Sequence, residues 1–124
     1  MEKKRILLVD DDISFTRMLK LNLERSGTYE IRIENAGSQA VTTAREFKPN
    51  LILLDVIMPE VDGGDVAAML KEDPILKNIP VVFITALVSG EENVSGGLIR
   101  SGYRFIGKLA SEKEMIQCIE ENLR

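Results

Sequence analysis

Residues 51–65 read LILLDVIMPEVDGGD. Leu51 to Leu54 are apolar without interruption, the pattern of a parallel strand covered on both faces by helices. The run ends on a carboxylate, Asp55. Pro59 fixes a backbone dihedral and Asp62-Gly63 favours a turn, so the chain must leave the sheet directly after Asp55. Asp55 is therefore expected at a strand's C-terminal edge, where open α/β sheets bind ligands.

On the N-terminal side the same pattern occurs once more. Ile6 to Val9 are apolar and are closed by Asp10, Asp11 and Asp12. The period then changes: Phe15, Met18, Leu19 and Leu23 fall at helical spacing until Ser26-Gly27 stops them. Asp12 is expected to cap that helix. Tyr29, Ile31 and Ile33 alternate with charged residues, which predicts a second strand nearer an edge. Ala40, Val41, Ala44 and Phe47 mark a second helix that stops before Pro49.

Downstream, Val66, Ala67 and Leu70 predict a short third helix ending near Asp73-Pro74. Asp62 is expected to form the turn before it. Pro80 opens a fully apolar strand, VVFIT, that ends on Thr85. Between Glu91 and Gly102 the pattern weakens. Gly96 and Gly97 each cost about 1 kcal/mol in a helix interior, so a weak helix is expected there. Tyr103 to Ile106 make a fifth strand followed by Gly107 and Lys108, and Met115, Ile116, Ile119 and Leu123 stripe a closing helix. Strands alternating with helices imply a parallel sheet with right-handed crossovers. Asp10, Asp11, Asp55, Thr85 and Lys108 would then converge at one sheet edge.

Composition excludes several classes of function. A chain of 124 residues suits one globular domain. With a net charge of -4 and no basic stripe it is not expected to bind nucleic acid directly. No stretch reads as a membrane anchor or signal peptide, so a cytoplasmic setting is expected. Cys118 stands alone, which rules out an internal disulfide or a thiolate zinc site, and is expected to fill space in the last helix. Histidine is absent, removing Ser-His-Asp and Cys-His catalysis. Three carboxylates packed together repel unless a hard cation joins them, and magnesium accepts such oxygen ligands while keeping places for water and phosphate. Metal and lysine could neutralise a phosphoryl group in transfer, with an aspartate as nucleophile.

Along essentially its whole length the chain resembles the receiver domain of two-component response regulators. The resemblance rests on four pieces in order: ILLVDDD, LILLDVIMPEVDGG, VVFITA and SGYRFIGK. It implies a flavodoxin-like α/β fold, a three-layer doubly wound sandwich whose five parallel strands run in the order 2-1-3-4-5 between five helices. One receiver domain over residues 1–124, with no output domain in this chain, is expected. The resemblance makes Asp55 the phosphoacceptor and gives Asp11 and Asp55 direct contact with Mg2+, with Mn2+ as a substitute. Asp10 would bind the metal through water, and the backbone carbonyl of Ile57 is a further ligand. Thr85 and Lys108 would touch the phosphoryl oxygens, and Phe105 would be the aromatic that rotates on activation.

As implied partners the resemblance offers a sensor histidine kinase or a histidine phosphotransfer domain as donor, an unidentified downstream protein, and a second copy of the chain on phosphorylation. The output surface would be the fourth helix, fifth strand and fifth helix, moving through the stretch from Val88 to Phe105. The protein would catalyse only its own phosphorylation and a slow autodephosphorylation. Two departures from the family pattern stand out. Lys108 is followed by Leu109 where most receivers have a cis proline, and a non-proline cis bond costs about 2.5–4 kcal/mol. That loop is expected to be trans or strained. Ile57 and Leu87 are apolar where members of that family often carry polar groups that position hydrolytic water, so hydrolysis of the phosphorylated form should be slow.

Two other readings compete. ILLVDDDIS also resembles the opening of haloacid dehalogenase-type phosphatases, with Asp10 as nucleophile and Asp12 as general acid. In that family, however, the late acidic motif follows the Ser/Thr and Lys motifs, whereas Asp55 precedes Thr85 and Lys108. The remaining alternative is a pseudo-receiver that binds protein without being phosphorylated.

Overall fold

The computed structural model describes residues 2–86, the backbone of 98–100, and residues 103–123. Among these, strands and helices alternate as β1 (Lys4–Val9), α1 (Ile13–Glu24), β2 (Tyr29–Glu34), α2 (Ala40–Phe47), β3 (Leu51–Asp55), α3 (Gly63–Glu72), β4 (Val81–Thr85), β5 (Leu98–Arg100), β6 (Tyr103–Gly107) and α4 (Glu112–Asn122). One 3-10 turn, Gly37–Gln39, leads into α2.

The sheet order is β2-β1-β3-β4-β6-β5. Its five long strands are parallel and follow the anticipated 2-1-3-4-5 order, β6 being the fifth strand of the sequence pattern. β2 lies at the edge, as its alternation of charged and apolar residues predicts. The other edge differs from expectation: β5 pairs antiparallel with β6, Leu98 opposite Phe105 and Arg100 opposite Tyr103. Residues 98–100 are thus strand, not the tail of a weak helix, Leu98, Ile99 and Arg100 standing opposite Phe105, Arg104 and Tyr103 of β6. The rest of the expected weak helix lies outside the described residues, which contain four α-helices.

Unbroken apolar strands are explained by two cores, one on each face of the sheet. Ile6, Leu8, Leu51, Leu53, Val82 and Ile84 pack with Leu19 and Leu23 of α1 and Met115, Cys118 and Ile119 of α4. Leu7, Val9, Ile52, Leu54 and Phe83 pack with Ala44 and Phe47 of α2 and Val66, Ala67 and Leu70 of α3. Successive residues of each strand therefore enter opposite cores. Burying one such Leu or Ile side chain contributes about 1.5–3 kcal/mol. Cys118 is buried as a small apolar group, and burial pushes its thiol up to about 11.

Helix ends are set by local hydrogen bonds. Asp12 caps α1 by accepting the Phe15 N–H at 3.0 Å. Asp62 does more than turn the chain: its Oδ1 accepts the Asp65 N–H at 2.9 Å and caps α3. Ser111 and Glu114 form a reciprocal capping box on α4.

Candidate functional site

The C-terminal ends of β1, β3, β4 and β6 lie side by side, and the residues just beyond them form the site. Asp10 follows β1, and its N–H donates to the Glu34 carbonyl at 3.1 Å. The Asn35 amide holds the Asp10 carbonyl at 2.6 Å and also reaches Thr16 Oγ at 3.2 Å. Asp10 Oδ1 accepts the Asp12 N–H at 2.9 Å. This tethering fixes a carboxylate that is wholly buried.

Asp55 closes β3 and is 4% exposed. The N–H of Val56 donates to the Ile84 carbonyl at 3.2 Å, and that of Gly63 donates to the Val56 carbonyl at 2.7 Å. This brings the start of α3 against the Asp55 backbone so closely that a Cβ on Gly63 would stand 2.3 Å from the Asp55 carbonyl oxygen. Only glycine fits there. Thr85, buried at the end of β4, pairs in register with Gly107, while its neighbour Ile84 pairs with Asp55. The Lys108 N–H donates to the Thr85 carbonyl at 3.0 Å.

Side chains converge as the strand ends predict. One carboxylate oxygen from each of Asp10, Asp11 and Asp55 lies within 4.8 Å of the others. Lys108 Nζ is 2.8 Å from Asp10 Oδ2 and 3.7 Å from Asp55 Oδ2. The first contact is an ion pair without hydrogen-bond alignment, since Asp10 Oδ2 is buried and accepts no aligned donor. No peptide bond among the described residues is cis, so Lys108–Leu109 is trans and the lysine still reaches the acidic group.

Three carboxylates and one ammonium, fully ionised, leave two negative charges in this pocket. The cost shows on Asp55. Burial and then the Asp10 charge push its carboxyl up to about 7, against the partial relief given by Lys108 and the Ile57 N–H. Burial pulls the Lys108 ammonium down, but Asp10 and Asp55 outweigh it and hold the lysine above its ordinary value. A divalent cation would remove the excess charge, and the all-oxygen donor set, in which Asp10 Oδ2 is buried and accepts no aligned hydrogen bond, fits a hard ion such as magnesium.

Phe105 is half-buried, its ring stacked on Phe83 at 4.9 Å while Tyr103 meets Phe83 edge-on at 5.1 Å. These rings, with Val56, Ala67 and Ala68, border a cavity of about 380 Å³ between the sheet and α3. The Ile57 side chain is 59% exposed beside the site. Leu87 and the stretch from Val88 to Gly97 lie outside the described residues.

Sequence reasoning passed over three residues. Asn35 pins Asp10, Thr16 receives the same amide, and the Phe15 ring lies 5.0 Å from Lys108 Nζ. Phe15 at helical spacing carries the signal of a core residue, which it also is. Nothing in spacing alone marks its ring as a neighbour of a lysine 93 residues later (108 − 15).

A family model described as the response regulator receiver domain matches residues 6–120. The chain is 35% identical over 123 residues to the DNA-binding response regulator MtrA of Mycobacterium tuberculosis, covering 98% of this chain and 51% of that protein. It is 34% identical over 122 residues to the polar-differentiation response regulator DivK of Brucella anthropi, covering 97% and 96%. The chain thus spans about half the length of the first curated relatives it matches, yet nearly all of DivK. Among solved structures it resembles chemotaxis protein CheY4 of Vibrio cholerae in fold, with a TM-score of 0.82, 23% identity, and coverage of 98% and 100%.

Proposed function

The chain belongs to the response regulator receiver domain family, and we propose that it is a phosphorylation-controlled switch whose phosphoacceptor is Asp55. The observation that carries this is the convergence of Asp10, Asp11 and Asp55 with the Lys108 ammonium at one sheet edge. The donor is a phosphohistidine on a sensor kinase or phosphotransfer domain. An Asp55 carboxylate oxygen attacks phosphorus, the O–P bond forms as the P–N bond breaks, and the electron pair returns to the imidazole, which takes a proton from solvent.

Each of this chain's residues has a defined task. Asp11 and Asp55 would hold Mg2+, with Asp10 and the Ile57 carbonyl in support. When bound, the cation supplies the positive charge that keeps Asp55 ionised and screens the phosphoryl oxygens. Lys108 and the Thr85 hydroxyl contact those oxygens. The added charge on Asp55 draws Thr85 inward and alters the packing of Phe105, which biases the surface toward β6 and α4 between two arrangements. Phe105 has no hydroxyl, so its coupling to Thr85 rests on packing. The protein turns over nothing but its own phosphoryl group and acts in the cytoplasm. No helix among the described residues is long and apolar enough to cross a membrane.

A phosphatase with Asp10 as nucleophile is less well supported. Asp10 is wholly buried, and Asp12, its would-be general acid, is engaged as a helix cap. Hydroxylamine treatment tests the proposal. Protein loaded by a phosphodonor should lose its phosphoryl group as an acyl phosphate does and leave a hydroxamate on Asp55; a label that resists hydroxylamine would contradict it.

A further inference from the structure

Lys108 has four rotatable side-chain bonds, and an ammonium on such a stem must be confined before it can serve a fixed site. Two of its neighbours are the charges already described. The third carries none: the Phe15 ring, whose centroid is 5.0 Å from Nζ. That distance lies within the range at which an aromatic face attracts a cation.

Phe15 is itself held in place from two directions. Its N–H is fixed by the Asp12 cap at 3.0 Å, in the first turn of α1. Its side chain is half-buried and packs against the core formed by α1, α4 and the sheet. The ring is thus a wall with little freedom, beside a lysine that has much. We propose that Phe15 is a positioning residue that holds the Lys108 ammonium over the acceptor site through its ring face. This rests on Lys108 serving phosphoryl transfer to Asp55.

The role differs in kind from that of Asp10. A carboxylate attracts the ammonium but also competes with incoming phosphoryl oxygens for it. The ring attracts without a formal charge and accepts no strong hydrogen bond, so it can confine Lys108 while leaving its protons to the phosphoryl group. It also makes no demand on the divalent cation that the carboxylates would share.

The test compares Phe15→Leu and Phe15→Tyr with the wild type, using the whole chain, acetyl phosphate and Mg2+. Phe15→Met serves as a second non-aromatic variant if leucine lowers stability. Loss of the ring should slow phosphorylation about 3- to 10-fold, while tyrosine stays within about two-fold of wild type. In isotope-labelled protein without phosphodonor, the ε-methylene protons of Lys108 should be shifted upfield by the ring in wild type and Phe15→Tyr, and return to the ordinary lysine position in Phe15→Leu. In a Lys108→Met background, Phe15→Leu should have no further effect on rate. Wild-type rates in Phe15→Leu, or a loss that persists in the Lys108→Met background, would overturn the positioning role. A wild type that takes up no phosphoryl group would instead overturn the receiver proposal, whatever the lysine resonances show.

Discussion

Lys108 Nζ stands 2.8 Å from Asp10 Oδ2, a carboxylate oxygen sealed from solvent. The ammonium therefore compensates a buried charge in the resting domain and, under the proposed function, would also meet the phosphoryl oxygens on Asp55. Removing one partner of a buried pair leaves the other uncompensated, which costs about 3–5 kcal/mol. Lys108→Ala should lower the stability of the metal-free domain by about that amount, measured by urea unfolding. In Mg2+ the loss should shrink, while phosphorylation stays slower by roughly 100-fold, as expected when a charge-stabilising donor is lost.

Asp55 works against the fold. Its carboxyl is raised to about 7 in the folded protein, whereas the unfolded chain titrates near 3.8. Below the unfolded value both states are protonated and the group has no effect. Between about 4 and 7 the unfolded chain releases a proton that the folded one keeps, so stability falls as pH rises through this window and the penalty is complete above it. Asp55→Asn should therefore stabilise the metal-free domain at pH 8 by about 1–3 kcal/mol and leave it unchanged at pH 3.5. Thermal unfolding at both pH values checks this. Equal effects at both would show that Asp55 is not carrying the strain.

Gly63 sets the distance between α3 and Asp55. Because a methyl group there would meet the Asp55 carbonyl oxygen at 2.3 Å, Gly63→Ala must move α3 or the end of β3. A destabilisation of about 1–3 kcal/mol is expected from such overpacking. The phosphorylation rate should fall with it, read by mass spectrometry of the intact protein. Gly64, where an added Cβ would meet the Asp62 carboxylate at 3.3 Å, should tolerate alanine better in the same assays.

Hydrolysis of the phosphorylated form should be slow, because Ile57 presents an apolar side chain beside the site and Leu87 is apolar as well. Polar residues at both positions should shorten the phosphorylated lifetime several-fold, about 10-fold if they place a water for attack. A lifetime that barely changes in the double variant would show that water access is set elsewhere.

Much of this was legible because the sheet is parallel and buried on both faces. Such strands read as apolar runs, and each run here stops at a residue of the candidate site: Val9 before Asp10, Leu54 before Asp55, Ile84 before Thr85. Topology alone then gathers these residues at one edge. Features that depend on side-chain reach were not legible. Spacing gives Phe15 the signature of a core residue and says nothing of Lys108 above its ring. Asp62 looks like a turn residue because a cap and a turn use the same side-chain acceptor. The antiparallel strand Leu98–Arg100 escaped notice because Gly96 and Gly97 weaken any periodic signal just before it.

The most direct test of the central claim is the mass of the intact protein after incubation with acetyl phosphate, with and without Mg2+, for wild type and Asp55→Ala. One phosphoryl adduct on the wild type, absent without Mg2+ and absent from Asp55→Ala, is the predicted result. An adduct that persists in Asp55→Ala, or none on the wild type in Mg2+, would contradict it.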